Sequence, residues 1–224
     1  MPLQPEHYPA RSPLISQELE GQLKPLLDRL SGPVTLVCLL GEDEKSAELA
    51  ALVNHIAGLS PLLGVKFLAP GEDGAADGAL DASLLPATGV YAGDSFGRMV
   101  FHGVPGGKEI TGFAGALLNA GGAAKPLDRP TLKDIARIKK PVDIRVCVSL
   151  GCHHCAQLVM SAQRVAWENP LVTAHMVDAN LYPELVERYQ LQRVPLMVLA
   201  GEKGETTVPG GKTMAELTTL LARL

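Results

Sequence analysis

Apolar positions along the chain fall into two rhythms, and the switch between them marks the elements. From Ser16 to Leu30, Leu19, Leu23, Leu26, Leu27 and Leu30 recur at helical spacing, with Ser16 placed to cap the start. Val34–Leu40 is a short apolar run of strand type. Ser46–Leu59 returns to helical spacing through Leu49, Leu52, Val53 and Ile56, and Val65–Leu68 is a second strand. Residues 71–81, rich in Gly, Ala and Asp, read as a loop. Ala87–Tyr91 and Met99–His102 predict a hairpin with Gly93-Asp94 near its turn, and Glu109–Asn119 predicts a helix stopped by Gly121-Gly122. Prolines crowd the first residues, so 1–15 is expected to be a flexible arm.

After a Gly- and Pro-rich linker at 121–130, the order repeats. Thr131–Lys139 is a helix and Asp143–Val148 a strand. A helix opens at Cys152 and stops at Asn169-Pro170. Val172–Val177 is a strand, Pro183–Tyr189 a short helix, Leu196–Leu199 and Thr206–Val208 a hairpin, and Thr213–Leu224 a closing helix. One offset carries Val37-Cys38 onto Val146-Cys147, Pro86 onto Pro195, Asp43 onto Cys152 and Ser46 onto Cys155. Val104-Pro105-Gly106-Gly107-Lys108 recurs as Val208-Pro209-Gly210-Gly211-Lys212, which makes the first hairpin five residues longer. The fold class is therefore α/β: two tandem βαβαββα units packed into one module, the first over 16–120 and the second over 131–224.

Composition narrows the function. With 224 residues, 46% of them hydrophobic, the chain can bury a large core or two small ones. A net charge of −4 without a Lys/Arg cluster gives no nucleic-acid surface. No apolar run reaches the length of a membrane span, and the first residues lack a basic region followed by an apolar one, so a cytoplasmic location without membrane attachment is expected. Four cysteines do not make a disulfide framework in a chain of this size. Cys38 and Cys147 sit in apolar strands as small core residues; His55, His175 and Trp167 likewise read as structural.

Cys152-His153-His154-Cys155 is different. It lies where a strand turns into a helix, so backbone N–H groups and the positive end of the helix dipole favour thiolate at Cys152. Zinc needs four ligands and no second pair of cysteines exists; Glu72, Asp73 and Asp77 are too few for a calcium loop. The motif fits a thioredoxin-like redox unit, in which Cys152 attacks a partner disulfide and Cys155 resolves the mixed disulfide. Val194-Pro195 stands where thioredoxin-like folds place a cis-proline facing the disulfide, offering a backbone edge to a substrate peptide. A protonated His154, or His153, beside the sulfurs makes the disulfide more oxidising. Glu109, after the first Val-Pro-Gly-Gly-Lys segment, is a proton acceptor for a cysteine if its loop faces the motif, and otherwise a first-turn residue on the helix dipole.

Ser149-Leu150-Gly151-Cys152-His153-His154-Cys155 resembles the Ser-Leu-Ser-Cys-His-Asn-Cys segment in the N-terminal domain of the flavoprotein component of alkyl hydroperoxide reductase. Phe101–Glu109 is similar to that family's Phe-Ala-Gly-x-Pro-x-Gly-His-Glu stretch. Ala116–Gly122, Val194-Pro195 and Met214–Leu217 fit as well, so the likeness covers most of 16–224. The resemblance implies two fused thioredoxin-like folds with one redox disulfide in the second, the first having lost its cysteine pair. It implies electron transfer from a thioredoxin-reductase-like flavoprotein portion to a peroxiredoxin, and a role near the disulfide for Glu109. The sequence departs from the pattern in carrying His154 for Asn. No Gly-x-Gly-x-x-Gly fingerprint follows a strand, so no FAD or NAD(P) site is expected in this chain, which is either a carrier reduced by a separate flavoprotein or a fragment of a longer protein. The competing readings are a general protein disulfide reductase or isomerase and a non-enzymatic redox-sensing module.

Overall fold

Each repeat builds its elements in the order the apolar rhythms predict. The computed structural model describes residues 4–72 and 80–224. The first unit runs α1 (Gln17–Leu27), β1 (Val34–Leu39), α2 (Glu44–Ala57), β2 (Leu63–Leu68), β3 (Ala87–Ala92), β4 (Ser95–His102) and α3 (Ile110–Ala120). The second runs α4 (Arg129–Ile135), β5 (Val142–Val148), α5 (His153–Glu168), β6 (Val172–Asp178), α6 (Pro183–Arg188), β7 (Leu196–Gly201), β8 (Gly204–Pro209) and α7 (Met214–Leu221).

Central strands are apolar on both faces. Val34, Leu36 and Cys38 of β1 enter one core, while Val37 and Leu39 enter a smaller cluster on the other side. A strand with no face for water belongs inside a sheet. Among the described residues, eight strands form a single mixed sheet in the order β2-β1-β3-β4-β6-β5-β7-β8. The units meet where β4 pairs in parallel with β6, from Met99 opposite Ala174 to His102 opposite Val177. All helices except α6 contribute to one continuous core on one face, through Leu27, Leu52, Phe113, Ile135, Val159 and Leu217 among others. Smaller clusters on the opposite face lie beneath α6 and residues 80–85.

Three expectations change. The arm is docked from residue 5 onward: Asn54 Nδ2 donates to the Pro5 carbonyl (2.8 Å), Tyr8 packs edge-on against Phe67, and the Ser12 N–H donates to His55 Nδ1 (3.2 Å). The linker is shorter, because Asp128 already caps α4 by accepting from the Thr131 N–H. The extra five residues of the first hairpin are divided: Gly97 and Arg98 form a bulge within β4, and the other three lie in the longer loop ahead of α3. The repeated pentapeptide is thus in register with the helices that follow it and not with the strands. Most of the predicted 71–81 loop, residues 73–79, lies outside the described residues.

Phe113 of α3 and Phe101 of β4 are fully buried, with ring centroids 4.9 Å apart in an edge-on contact. Phe113→Ala is expected to destabilise the protein by about 3–5 kcal/mol, measured by denaturant titration.

Candidate functional site

β5 delivers Cys152 to the end of the sheet. The chain turns through Ser149–Gly151, the Cys152 N–H donates to the Ser149 carbonyl (2.9 Å), and α5 begins with Cys152 as its N-cap. Cys152 is half-buried and Cys155, one turn on, is fully buried; a disulfide joins them with Cα atoms 5.4 Å apart. Among the described residues, no side chain caps the start of α5. Its first-turn N–H groups and the positive end of its dipole are left for the sulfur.

The first unit shows what that position does for an anion. Asp43, the counterpart of Cys152, is the N-cap of α2 and accepts from the N–H groups of Lys45 (2.9 Å) and Ser46 (3.0 Å). The hydroxyl of Ser46, the counterpart of Cys155, also donates to it (2.8 Å). Burial pushes the Asp43 carboxyl up, yet the hydrogen bonds from Ser46 and Lys45 prevail and hold it below the usual carboxylate range. The same helix start holds a carboxylate in one unit and offers its donors to a thiolate in the other.

Both Leu85-Pro86 and Val194-Pro195 are cis. Leu196 pairs with Cys147, so the buried Pro195 lies at the end of the sheet from which the Ser149–Cys152 turn departs. The two prolines hold equivalent bonds: Gly103 N–H donates to the Pro86 carbonyl (2.8 Å) and Gly210 N–H to that of Pro195 (2.9 Å). The residues before them differ. The Leu85 carbonyl accepts from the Tyr182 hydroxyl of the second unit (3.1 Å). The backbone N–H and C=O of Val194 have no hydrogen-bond partner among the described residues.

Glu109 reaches this end from the first unit. Gly107 has φ +55°, and a Cβ there would lie 2.6 Å from the Leu150 carbonyl oxygen, so glycine is what lets the loop close in. Lys108 N–H then donates to that carbonyl (2.9 Å), next to the disulfide turn. Glu109 is fully buried, caps no helix N–H, and neither carboxyl oxygen has a hydrogen-bond partner among the described residues. Burial, and secondly the charge of Asp178 at the end of β6, push its carboxyl up to about 7. Asp178 carries no mark in the sequence; only the fold brings the end of β6 under the Glu109 loop.

His153 and His154 are exposed, and among the described residues no hydrogen bond or ion pair holds either imidazole. His154 lines a groove with Gln157, Lys212, Thr213 and Glu216. The remaining cysteines are core residues: burial pushes the Cys38 thiol up to about 12 and that of Cys147 to about 11. Cys147 points to the face opposite Cys155 and so away from any pairing with Cys152. His55 is buried and bonded through both nitrogens, to the Ser12 N–H and to Glu20 (3.1 Å), as a structural histidine. Among the described residues, no helix is long and apolar enough to cross a membrane.

Residues 142–220 match the family model described as thioredoxin domain. The chain is 30% identical over 189 residues to the alkyl hydroperoxide reductase protein AhpF of Pseudomonas aeruginosa, covering 84% of this chain and 34% of that protein. The Staphylococcus aureus protein of the same name is 28% identical over 193 residues, 85% of this chain and 35% of its own length. The chain thus spans about a third of the curated relatives it matches. Among solved structures, the N-terminal domain of AhpF from Enterococcus faecalis superposes with a TM-score of 0.84 at 30% identity, over 92% of this chain and 99% of that one. A protein disulfide oxidoreductase from Aeropyrum pernix shares the fold, with a TM-score of 0.78 at 19% identity, over 93% of this chain and 92% of that one.

After reduction, native-state alkylation is expected to label Cys152 first. Cys38 and Cys147 should react only in denaturant, as read by mass spectrometry of digested protein.

Proposed function

The chain belongs to the family of the N-terminal domain of the alkyl hydroperoxide reductase protein AhpF, and from that we propose that Cys152 and Cys155 relay electron pairs from a thioredoxin-reductase-like flavoprotein to a peroxiredoxin or similar protein disulfide. The observation that carries this reading is the disulfide at the uncapped start of α5, with Cys152 accessible and Cys155 buried.

In the reduced state the Cys152 thiolate, favoured by the open N–H groups of α5, attacks one sulfur of the acceptor disulfide. A mixed disulfide forms and the acceptor's other sulfur leaves as thiolate. The unpaired N–H and C=O of Val194, held beside Pro195, pair with the acceptor backbone as an added strand. The Glu109 carboxylate then takes the proton of the Cys155 thiol. The Cys155 thiolate attacks Cys152 Sγ, the intramolecular disulfide closes, and the acceptor leaves with two electrons gained. A carboxyl near 7 exchanges that proton at neutral pH. The flavoprotein donor reverses the sequence and restores the dithiol.

Cys152→Ser is expected to abolish disulfide reduction in a coupled assay; retained turnover would sink the assignment. Glu109→Gln should slow closure of the disulfide roughly 10²-fold. In stopped flow, the wild-type closure rate should rise with pH through about 7 as the carboxyl ionises, and the variant should lack that step. The stability signs follow. Glu109 is protonated in the folded protein up to about 7 and ionised when unfolded above roughly 4.3. Its contribution to stability therefore falls as pH rises across that window, and Glu109→Gln should flatten the fall in denaturant titrations.

A further inference from the structure

A cavity of about 390 Å³ is lined by α3, α5, the start of α7 and the segment that joins the two units. That volume is at the small end of the range for ligand pockets. Leu118 of α3, Leu127 of the joining segment, Met160 of α5 and Met214 of α7 give it apolar walls. The joining segment is fixed where it borders the cavity. The Ala123 and Ala124 N–H groups donate to the Leu118 carbonyl (2.9 and 3.0 Å), and Arg29 Nη2 donates to the Ala123 carbonyl (2.9 Å). Gly115 of α3 lines the cavity without a side chain. A Cβ there would meet Met160 alone, at 3.7 and 3.8 Å, which is ordinary contact. A longer side chain at Gly115 therefore takes up the space of the cavity.

Two lining residues carry buried polar atoms that the described residues leave unpaired. Gln163 is 1% exposed, and neither its amide oxygen nor its amide nitrogen has a hydrogen-bond partner. Arg164 Nε is unpaired as well, although its Nη1 donates to Asn119 Oδ1 (2.8 Å) and its Nη2 pairs with Glu168 (2.7 Å). A buried amide with both ends unsatisfied is costly until something supplies the partners. Gln163 Nε2 and Arg164 Nε donate, and Gln163 Oε1 accepts. The charged residues lining the cavity are all cations: Arg29, Lys125 and Arg164. Lys125 is exposed and makes no ion pair or hydrogen bond among the described residues. The occupant these groups call for accepts twice, donates once, is negatively charged and has an apolar body.

We propose that this cavity binds a small α-hydroxy carboxylic acid with an apolar chain. The carboxylate accepts from Gln163 Nε2 and Arg164 Nε, and the hydroxyl donates to Gln163 Oε1. Lys125 and Arg29 favour the negative charge. The chain packs on Leu118, Leu127, Met160 and Met214, and the two unbranched thioethers adapt to its length. Neither Cys152 nor Cys155 takes part, so the site stands independently of the relay proposed above.

Isothermal titration calorimetry of the full, disulfide-bonded chain with α-hydroxyoctanoate tests the proposal. One saturable site per chain is expected. Octanoate, which lacks the hydroxyl, and octanol, which lacks the carboxylate, should each bind roughly tenfold more weakly or less. Gln163→Leu should weaken α-hydroxyoctanoate by a similar factor. In denaturant titration the same variant should be at least as stable as wild type, because it removes an unsatisfied amide and keeps its volume. Gly115→Leu should abolish binding by filling the cavity. The absence of saturable binding, equal binding of octanoate or octanol, or undiminished binding by either variant overturns the proposal. So does a Gln163→Leu protein less stable than wild type, since its amide would then have a partner. If Gly115→Leu does not fold, Gln163→Leu decides.

Discussion

The parallel pairing of β4 with β6 is the constraint on which the rest depends. It turns two short sheets into one and sets what each unit can reach in the other. Both ends of α5, the helix that carries the disulfide, are served by the first unit. At the start, Lys108 binds the turn before Cys152 and Glu109 is buried nearby. At the end, Arg98, turned out by the β4 bulge with φ +58°, donates from Nε to the Ala166 carbonyl (3.0 Å) and from Nη2 to that of Trp167 (3.3 Å). A cation on the last carbonyls suits the negative end of the helix dipole. The first unit has no cysteine pair of its own, yet it holds the second unit's redox helix at both termini.

The tandem fold was legible in the sequence because both copies keep their apolar rhythms and a few identities, such as Val37-Cys38 and Val146-Cys147. The redox pair was legible because a Cys-x-x-Cys between strand and helix has few other uses. Positions defined by packing across the two units were not. Asp178 and Tyr182 act through neighbours far away in sequence, and no local pattern distinguishes them from ordinary strand-end or helix-start residues. The arm was misjudged for a related reason. Its prolines exclude a long helix or strand, but Pro5–His7 form a short 3-10 helix and Tyr8, Ser12 and Ile15 find partners on the first unit. The division of the five extra residues between a bulge and a loop also needed the strand register, which an identical pentapeptide obscures.

The copies differ most where they are topologically alike. Asp43 and Ser46 close the helix start of the first unit with their own hydrogen bonds, and the Tyr182 hydroxyl closes the carbonyl before its cis-proline. In the second unit the helix start is uncapped and Val194 is unpaired among the described residues. One set of residues satisfies its polar groups; the other leaves donors and acceptors available to a visitor.

The Tyr182–Leu85 hydrogen bond has a kinetic consequence. With the first edge shut, the described residues leave one open edge, so under the proposed relay donor and acceptor would occupy it in turn. Ping-pong kinetics would follow from that relay, with an excess of either partner blocking the other.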